Sequence, residues 1–226
     1  MSNDLLNKGT DSAVFSLRAQ LLTGSQALNL SLNEVQIDKI LAYMALLEKW
    51  GGVYNLTAIK DPKEILVHHV LDCLSVVLHV SAHTQPGDLV LDVGSGAGLP
   101  AIMIAIACPH LKITALDAVA KKVAFINQAA LQLGLLNITG KHARIEKETD
   151  PIFKLVVSRA FASLKDFVIG TRKALSPGGL WMAMKGKEPL EELAELPEGI
   201  EIVEVVPLTV PGLDAQRCLV WLKDLR

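Results

Sequence analysis

A chain of 226 residues, half of them hydrophobic and a fifth charged, can bury one sizeable core and is too apolar to be a disordered tail. Its formal charge of −2 excludes a protein that coats nucleic acid over its whole surface, but not one with a single basic face. Cys73, Cys108 and Cys218 stand far apart at no metal-ligand spacing, which points to free thiols in a reducing compartment.

The opening MSNDLLNKGTDSAVF carries Asp4 early and lacks the basic-then-apolar layout of a signal peptide. No run reaches the ~20 apolar residues of a membrane span, so a cytoplasmic protein is expected. Residues 1–30 read as a variable, partly ordered arm, with a loose helix over 14–22 broken by Gly24-Ser25. Ser31 and Glu34 are spaced as a capping box ahead of an apolar stripe of Ile37, Ile40, Leu41, Met44 and Leu47, with Trp50-Gly51-Gly52 as the stop. Asp61-Pro62 and Glu64 start a second helix over 62–80, with Ile65, Leu66, His69, Val70 and Leu74 on one side. Residues 31–84 thus form a helical extension ahead of a main domain over 85–226.

From residue 89 the pattern alternates strand and helix. Residues 89–93 read as a buried parallel strand, followed by Gly94, Gly96 and Gly98, then Pro100 at the start of a helix that stops at Pro109. A dinucleotide fingerprint needs a sixth-position glycine where Leu99 stands, and a phosphate loop needs Gly-Lys-Ser/Thr where Leu99-Pro100 stand. What remains is acidic-x-Gly-x-Gly-x-Gly, with Asp92 inside the strand end. This resembles the first motif of Rossmann-like methyltransferases that bind S-adenosylmethionine, a ligand with no pyrophosphate to seat. A second strand over 111–116 ends in Asp117, and a helix over 118–133 stops at Gly134. Strands over 137–140 and 152–158 follow, then a helix over 164–175 closed by Pro177-Gly178-Gly179, and a strand over 180–184. After a short acidic helix, strands over 200–208 and 216–222 form an antiparallel pair around Pro211-Gly212-Leu213-Asp214. The class is α/β, a Rossmann-like, mostly parallel sheet with a C-terminal antiparallel strand, preceded by helices.

Asp117 closes its strand where an acidic residue of such sheets hydrogen-bonds a ribose; a plain strand cap is the competing role. The loop holding Ile145 and Glu146 either meets an adenine edge through its backbone or is only a solvated loop. Arg159 follows an apolar strand at the substrate side, able to pair with a carboxylate or a phosphate. Phe161 either stacks on a base or joins the core. Lys154, Arg159, Lys165, Arg172, Lys173, Lys185 and Lys187 are interrupted by the single acid Asp166, and only glutamates follow over 188–206. That segregation is compatible with a phosphate-contacting face opposite an acidic one, or with ordinary solvated surface. His68, His69 and Cys73 match no metal signature, so no metal is expected. Gly94-Ser95-Gly96 is not a nucleophile elbow.

Tyr54-Asn55-Leu56-Thr57-Ala58-Ile59, His69-x-x-Asp72, the Asp92–Pro100 turn, Ser158-Arg159-Ala160-Phe161-Ala162-Ser163-Leu164, Lys185-Gly186 and Pro211-Gly212-Leu213-Asp214 together resemble the RsmG (GidB) family over roughly residues 30–225. These are bacterial methyltransferases acting on guanine N7 in small-subunit (16S) ribosomal RNA. The resemblance implies S-adenosylmethionine as donor, held by Gly94, Ser95, Gly96, Gly98, Leu99, Asp117, the backbone at Ile145 and Glu146, and Arg159. It implies an RNA mouth of Asn55, His69, Asp72, Phe161, Lys185 and Arg217, with Arg159 organising the site and no general base. A monomer acting on ribosomal RNA is expected. A methyltransferase of another RNA or protein, or an RNA-binding protein with a vestigial fold, are the alternatives.

Overall fold

The computed structural model describes residues 3–147, 152–159 and 161–226, so Ala160 of the motif after the fourth strand lies outside the described residues. The strands β1 (Leu89–Val93), β2 (Lys112–Asp117), β3 (Ile138–His142), β4 (Phe153–Ser158), β5 (Leu175–Lys185), β6 (Ile200–Leu208) and β7 (Arg217–Asp224) form one sheet in the order β3-β2-β1-β4-β5-β7-β6. Pairing is parallel from β3 through β5, and β7 runs antiparallel to both β5 and β6. The expected sheet is therefore present.

Strand side chains alternate between two buried clusters, as a pleat covered on both faces requires. Val90, Leu155, Val157, Met182, Leu219 and Trp221 enter one cluster, and Leu91, Val156, Trp181, Val220 and Leu222 the other. The first face is covered by α1 (Asn3–Ala27), α2 (Glu34–Tyr54), a helical run over Pro62–His83, α6 (Ala101–Ala107) and α7 (Ala120–Gln132). The second is covered by α8 (Leu164–Thr171), α9 (Leu190–Ala194) and a short turn at Ile145–Lys147. At the sheet edges, exposed Lys141 on β3 and Glu201 and Glu204 on β6 discourage further strand pairing.

The N-terminal helices differ from expectation in ways with local causes. Helix α1 runs straight through Gly24-Ser25. Gly24 lets α1 pack close against the next helical run: a Cβ there would meet Leu71 at 2.7 Å. The helix stops instead at Asn29, left-handed at φ 58, with Leu30 N–H donating to Ser25 O. Asn33 and Gln36, not Ser31 and Glu34, form the capping box of α2. That helix continues past Gly51-Gly52 to Tyr54, whose ring stacks on Trp50 one turn earlier, and ends at left-handed Asn55.

Asp61 caps the next run as expected, but the run is not one regular helix. It consists of α3 (Pro62–Ile65), a π-helical stretch (Leu66–Leu71), α4 (Asp72–Leu74) and α5 (Val77–His83). Contrary to the sequence expectation, this run is long and apolar enough to cross a membrane by length and composition, yet 61% of its apolar window is buried inside the fold. In the C-terminal half, α8 ends at Thr171, and Pro177-Gly178-Gly179 is a bulge inside β5 instead of a connecting turn. Pairing with β4 runs from Phe153 opposite Leu175 and resumes at Leu155 opposite Leu180.

Ile40 of α2 is fully buried in the same cluster as Val90, Ile104 and Phe125, so the helical layer and the sheet share one core. Ile40→Ala should cost about 2–5 kcal/mol. A denaturant titration followed by far-UV and tryptophan signals should show one shifted transition; separate melting of the helical layer would contradict a shared core.

Candidate functional site

Strand order reverses at β1, which pairs with β2 on one side and β4 on the other. Open parallel sheets hold ligands in the crevice at the carboxyl ends beside such a point. The turn after β1 and Arg159 after β4 flank it.

The turn is tied down on both sides. Gly94 and Ser95 donate their N–H groups to Leu116 O at 2.9 and 3.1 Å, hooking the turn onto β2. Gly96 N–H donates to Asp117 Oδ2 at 2.9 Å, while Asp117 Oδ1 accepts from Val119 N–H at 2.8 Å. Asp117 is thus a strand cap that also shapes the glycine turn, and only its remaining lone pairs are left for a ligand. Gly94 and Gly96 have positive φ; a Cβ on Gly94 would reach open space, and one on Gly96 would make only an ordinary contact with Gly94 O at 3.9 Å. Gly98 differs: a Cβ there would meet Ile102 at 2.7 Å, so it serves close packing of α6. Leu99, joined to Pro100 by a cis peptide, is buried.

Asp92 is 1% exposed on the face shared with the helical layer. Its Oδ2 accepts from Ser95 Oγ at 2.5 Å and from Ala101 N–H at 3.2 Å, whereas Oδ1 is buried without a partner among the described residues. Burial raises this carboxyl to about 6, against the opposing hydrogen bonds from Ser95 and Ala101. Tyr43, fully buried on α2, donates its hydroxyl to Ala97 O at 2.8 Å, so the helical extension grips the same turn. A periodic helix face marks Tyr43 as core, and no sequence signal shows this second role. Open space over Gly94, an uncharged exit at Leu99-Pro100 and an unpartnered buried acceptor together fit a nucleoside ligand that carries N–H groups and no phosphate. S-adenosylmethionine is such a ligand.

Beside the crevice lies a cavity of about 420 Å³ lined by Ile59, His68, His69, Asp72, Arg159, Met184, Lys185, Gly186 and Arg217. His69, Asp72, Arg159, Lys185 and Arg217 were all expected at an RNA mouth or site, and the fold does bring them together. Most are already partnered. Asp72 accepts from Arg217 Nε at 2.8 Å and from Arg159 Nη1 at 3.4 Å. Lys185 donates to Glu192 Oε2 at 2.8 Å, and the same oxygen accepts Leu164 N–H at 2.7 Å. The basic and acidic stretches seen in sequence therefore touch here, through Lys185 and Glu192. His69 Nδ1 lies 3.1 Å from His68 O, which only accepts, so Nδ1 carries the proton. Its Nε2 then accepts the Thr57 hydroxyl at 2.6 Å. Burial, reinforced by Arg159, lowers its pKa and keeps it neutral at pH 7. Asn55 and Phe161 stand outside this lining. Asn55 is the exposed end of α2, and Phe161 packs on Phe167 at 5.4 Å between centroids. Ile145 is buried against the second core and Glu146 is exposed. Among the described residues no group of three metal-ligating side chains converges.

This sheet order, with a glycine turn at the reversal, defines the methyltransferase class that uses S-adenosylmethionine. TrmN from Thermus thermophilus shares the fold at a TM-score of 0.55 and 22% identity, over 68% of this chain and 49% of that one. A geranyl diphosphate methyltransferase solved with SAM matches at 0.52 and 15%, over 66% and 82%. The family model GidB, rRNA small subunit methyltransferase G, matches residues 36–220, and the chain belongs to this family. A relative from Polaromonas naphthalenivorans (strain CJ2), Ribosomal RNA small subunit methyltransferase G, is 53% identical over 216 residues, covering 93% of this chain and 97% of that one. One of the same name from Methylibium petroleiphilum (strain ATCC BAA-1232 / LMG 22953 / PM1) is 49% identical, over 92% and 94%.

The Asp92 carboxyl gives a signed pH dependence. Its folded value of about 6 exceeds the ordinary 3.8, so the native state holds the extra proton between them and loses stability as pH rises through that window. The full effect is about 3 kcal/mol above pH 6. Denaturant unfolding of the ligand-free chain should show this decline, and Asp92→Asn should flatten it. An unchanged slope in that variant would contradict the assignment.

Proposed function

We propose that the chain transfers the methyl group of S-adenosylmethionine to N7 of a guanine in small-subunit ribosomal RNA. One observation supports the acceptor most: the two least exposed bases of the cavity, His69 and Asp72, are already committed, and among the described residues only the exposed His68 of the lining is not. His69 keeps its proton on a carbonyl and its lone pair on Thr57, and both Asp72 oxygens are held by arginines. An acceptor nitrogen that must shed a proton needs a base within reach. Guanine N7 has a lone pair and no proton, so it suits this lining.

S-adenosylmethionine, when bound, supplies an electrophilic methyl on its sulfonium. Gly94 and Gly96 leave room for the ligand against bare backbone, and Asp117 keeps the turn in shape. Arg159 is half-buried between turn and cavity and orients the acceptor through its planar fork. Catalysis of this kind is alignment in a site largely emptied of water. In this reading the chain works as a cytoplasmic monomer on RNA within a ribosomal particle or an assembly intermediate.

Transfer of a labelled methyl group into small ribosomal subunits lacking the modification tests this. Arg159→Ala should lower the rate by about a hundredfold or more and weaken S-adenosylmethionine binding measured by calorimetry. Full activity in that variant would overturn the role of Arg159. No incorporation by the unaltered protein would overturn the assigned acceptor.

A further inference from the structure

We infer that Asp72 is a positioning residue for methyl transfer: its carboxylate holds Arg159 and Arg217 at one fixed separation across the cavity. The inference rests on the reading that this cavity receives the RNA. Asp72 is 3% exposed and begins α4, immediately after the π-helical stretch. The wider winding of such a stretch changes which way the following side chains face, and such stretches are frequent at functional sites. Arg159 follows β4 and Arg217 opens β7, so the carboxylate joins three elements distant in sequence.

The pattern differs from a structural ion pair. One carboxylate meets two guanidiniums, leaving one net positive charge in a part-buried site. The neighbouring Lys185 is balanced by Glu192, so the surplus charge of the lining rests on the arginine pair. Arg159 directs Nη1 to Asp72 and to Cys73 Sγ, the latter at 3.5 Å. Arg217 directs Nε to Asp72 and Nη1 to Gln216 O at 2.8 Å. Each guanidinium carries five N–H donors. Among the described residues, Nη2 of each arginine is left without a protein partner, on side chains that both line the cavity. Without the carboxylate the two cations would repel and part. With it, their spare donors keep a set spacing for an RNA phosphate, the anion that suits a planar fork. Asp72 therefore acts through the arginines and does not itself touch RNA, whose phosphates would repel it.

Asp72→Glu keeps the charge and moves the carboxylate by one methylene; Asp72→Asn keeps the shape and removes the charge. The first reading needs no turnover: NMR of arginine labelled with 15N and 13C at the guanidinium. Rotation about Cζ–Nε should be hindered for Arg159 and Arg217 in the unaltered chain and freed in Asp72→Asn. The second is kinetic. Asp72→Glu should lose about a hundredfold in kcat on small subunits. In an Arg159→Ala background, Asp72→Glu should cost no more than about twofold further. Free rotation of both arginines in the unaltered chain, or kcat unchanged in Asp72→Glu, would overturn the inference. So would a loss that adds in full to that of Arg159→Ala. Hindered rotation in a chain that methylates no ribosomal RNA would uphold the clamp while overturning the proposed acceptor, so the two failures are separable. Should Asp72→Asn not fold, Asp72→Glu and the double variant carry the test, because neither leaves a buried charge unpaired in a new way.

Discussion

Parallel pairing of β1 with both β2 and β4 makes the chain leave the sheet in opposite directions at one point, and the molecule is arranged around the crevice that results. Backbone groups at such a place would be exposed and loose unless tied. Here Leu116 O takes two N–H groups of the turn, Asp117 takes a third, and Tyr43 reaches from α2 to the Ala97 carbonyl. The glycines supply left-handed backbone and open space; the ties supply rigidity. Neither alone makes a binding site.

The helical layer ahead of the sheet is part of the site as well as of the core. Tyr43 from α2 and His69 and Asp72 from the irregular run reach the crevice or the adjoining cavity, while Leu47, Leu74 and Val80 pack in the cluster that also holds Val90 of β1. The cost of the arrangement is a set of buried polar groups. Asp92 has one oxygen unpartnered and its carboxyl raised to about 6; Cys73, beside Arg159, is raised to about 12 by burial and stays a thiol. A buried group left short of partners in a native fold calls for a ligand or a role.

Much of this was legible in the chain itself, where a residue's chemistry does not depend on distant neighbours. Strand 200–208 and the glycine turn follow from periodicity and from backbone limits. Asp117 at a strand end and Arg159 after an apolar strand follow from the rules of parallel sheets. Illegible were the features decided by tertiary contact. Gly24 looks like a helix breaker until Leu71 is set against it. Pro177-Gly178-Gly179 looks like a turn until β4 pairs on both sides of it. Lys185 and Arg217 look like free cations until the fold sets Glu192, past the next turn, and Asp72, from far along the chain, against them. The π-helical stretch has no composition of its own, so the direction of His69 and Asp72 could not be read either. The acceptor came from the resemblance and not from the residues one by one, because that His69 and Asp72 are already engaged is a property of partnerships, not of residue types.

The central claim is methylation of guanine N7 in small-subunit ribosomal RNA. Mass spectrometry of nuclease digests of that RNA, from cells with and without this gene, tests it most directly. The account predicts one N7-methylguanosine fragment in the first that is replaced by its unmodified form in the second and restored by the gene in trans. Identical digests, or a loss confined to another base or another RNA, would contradict it.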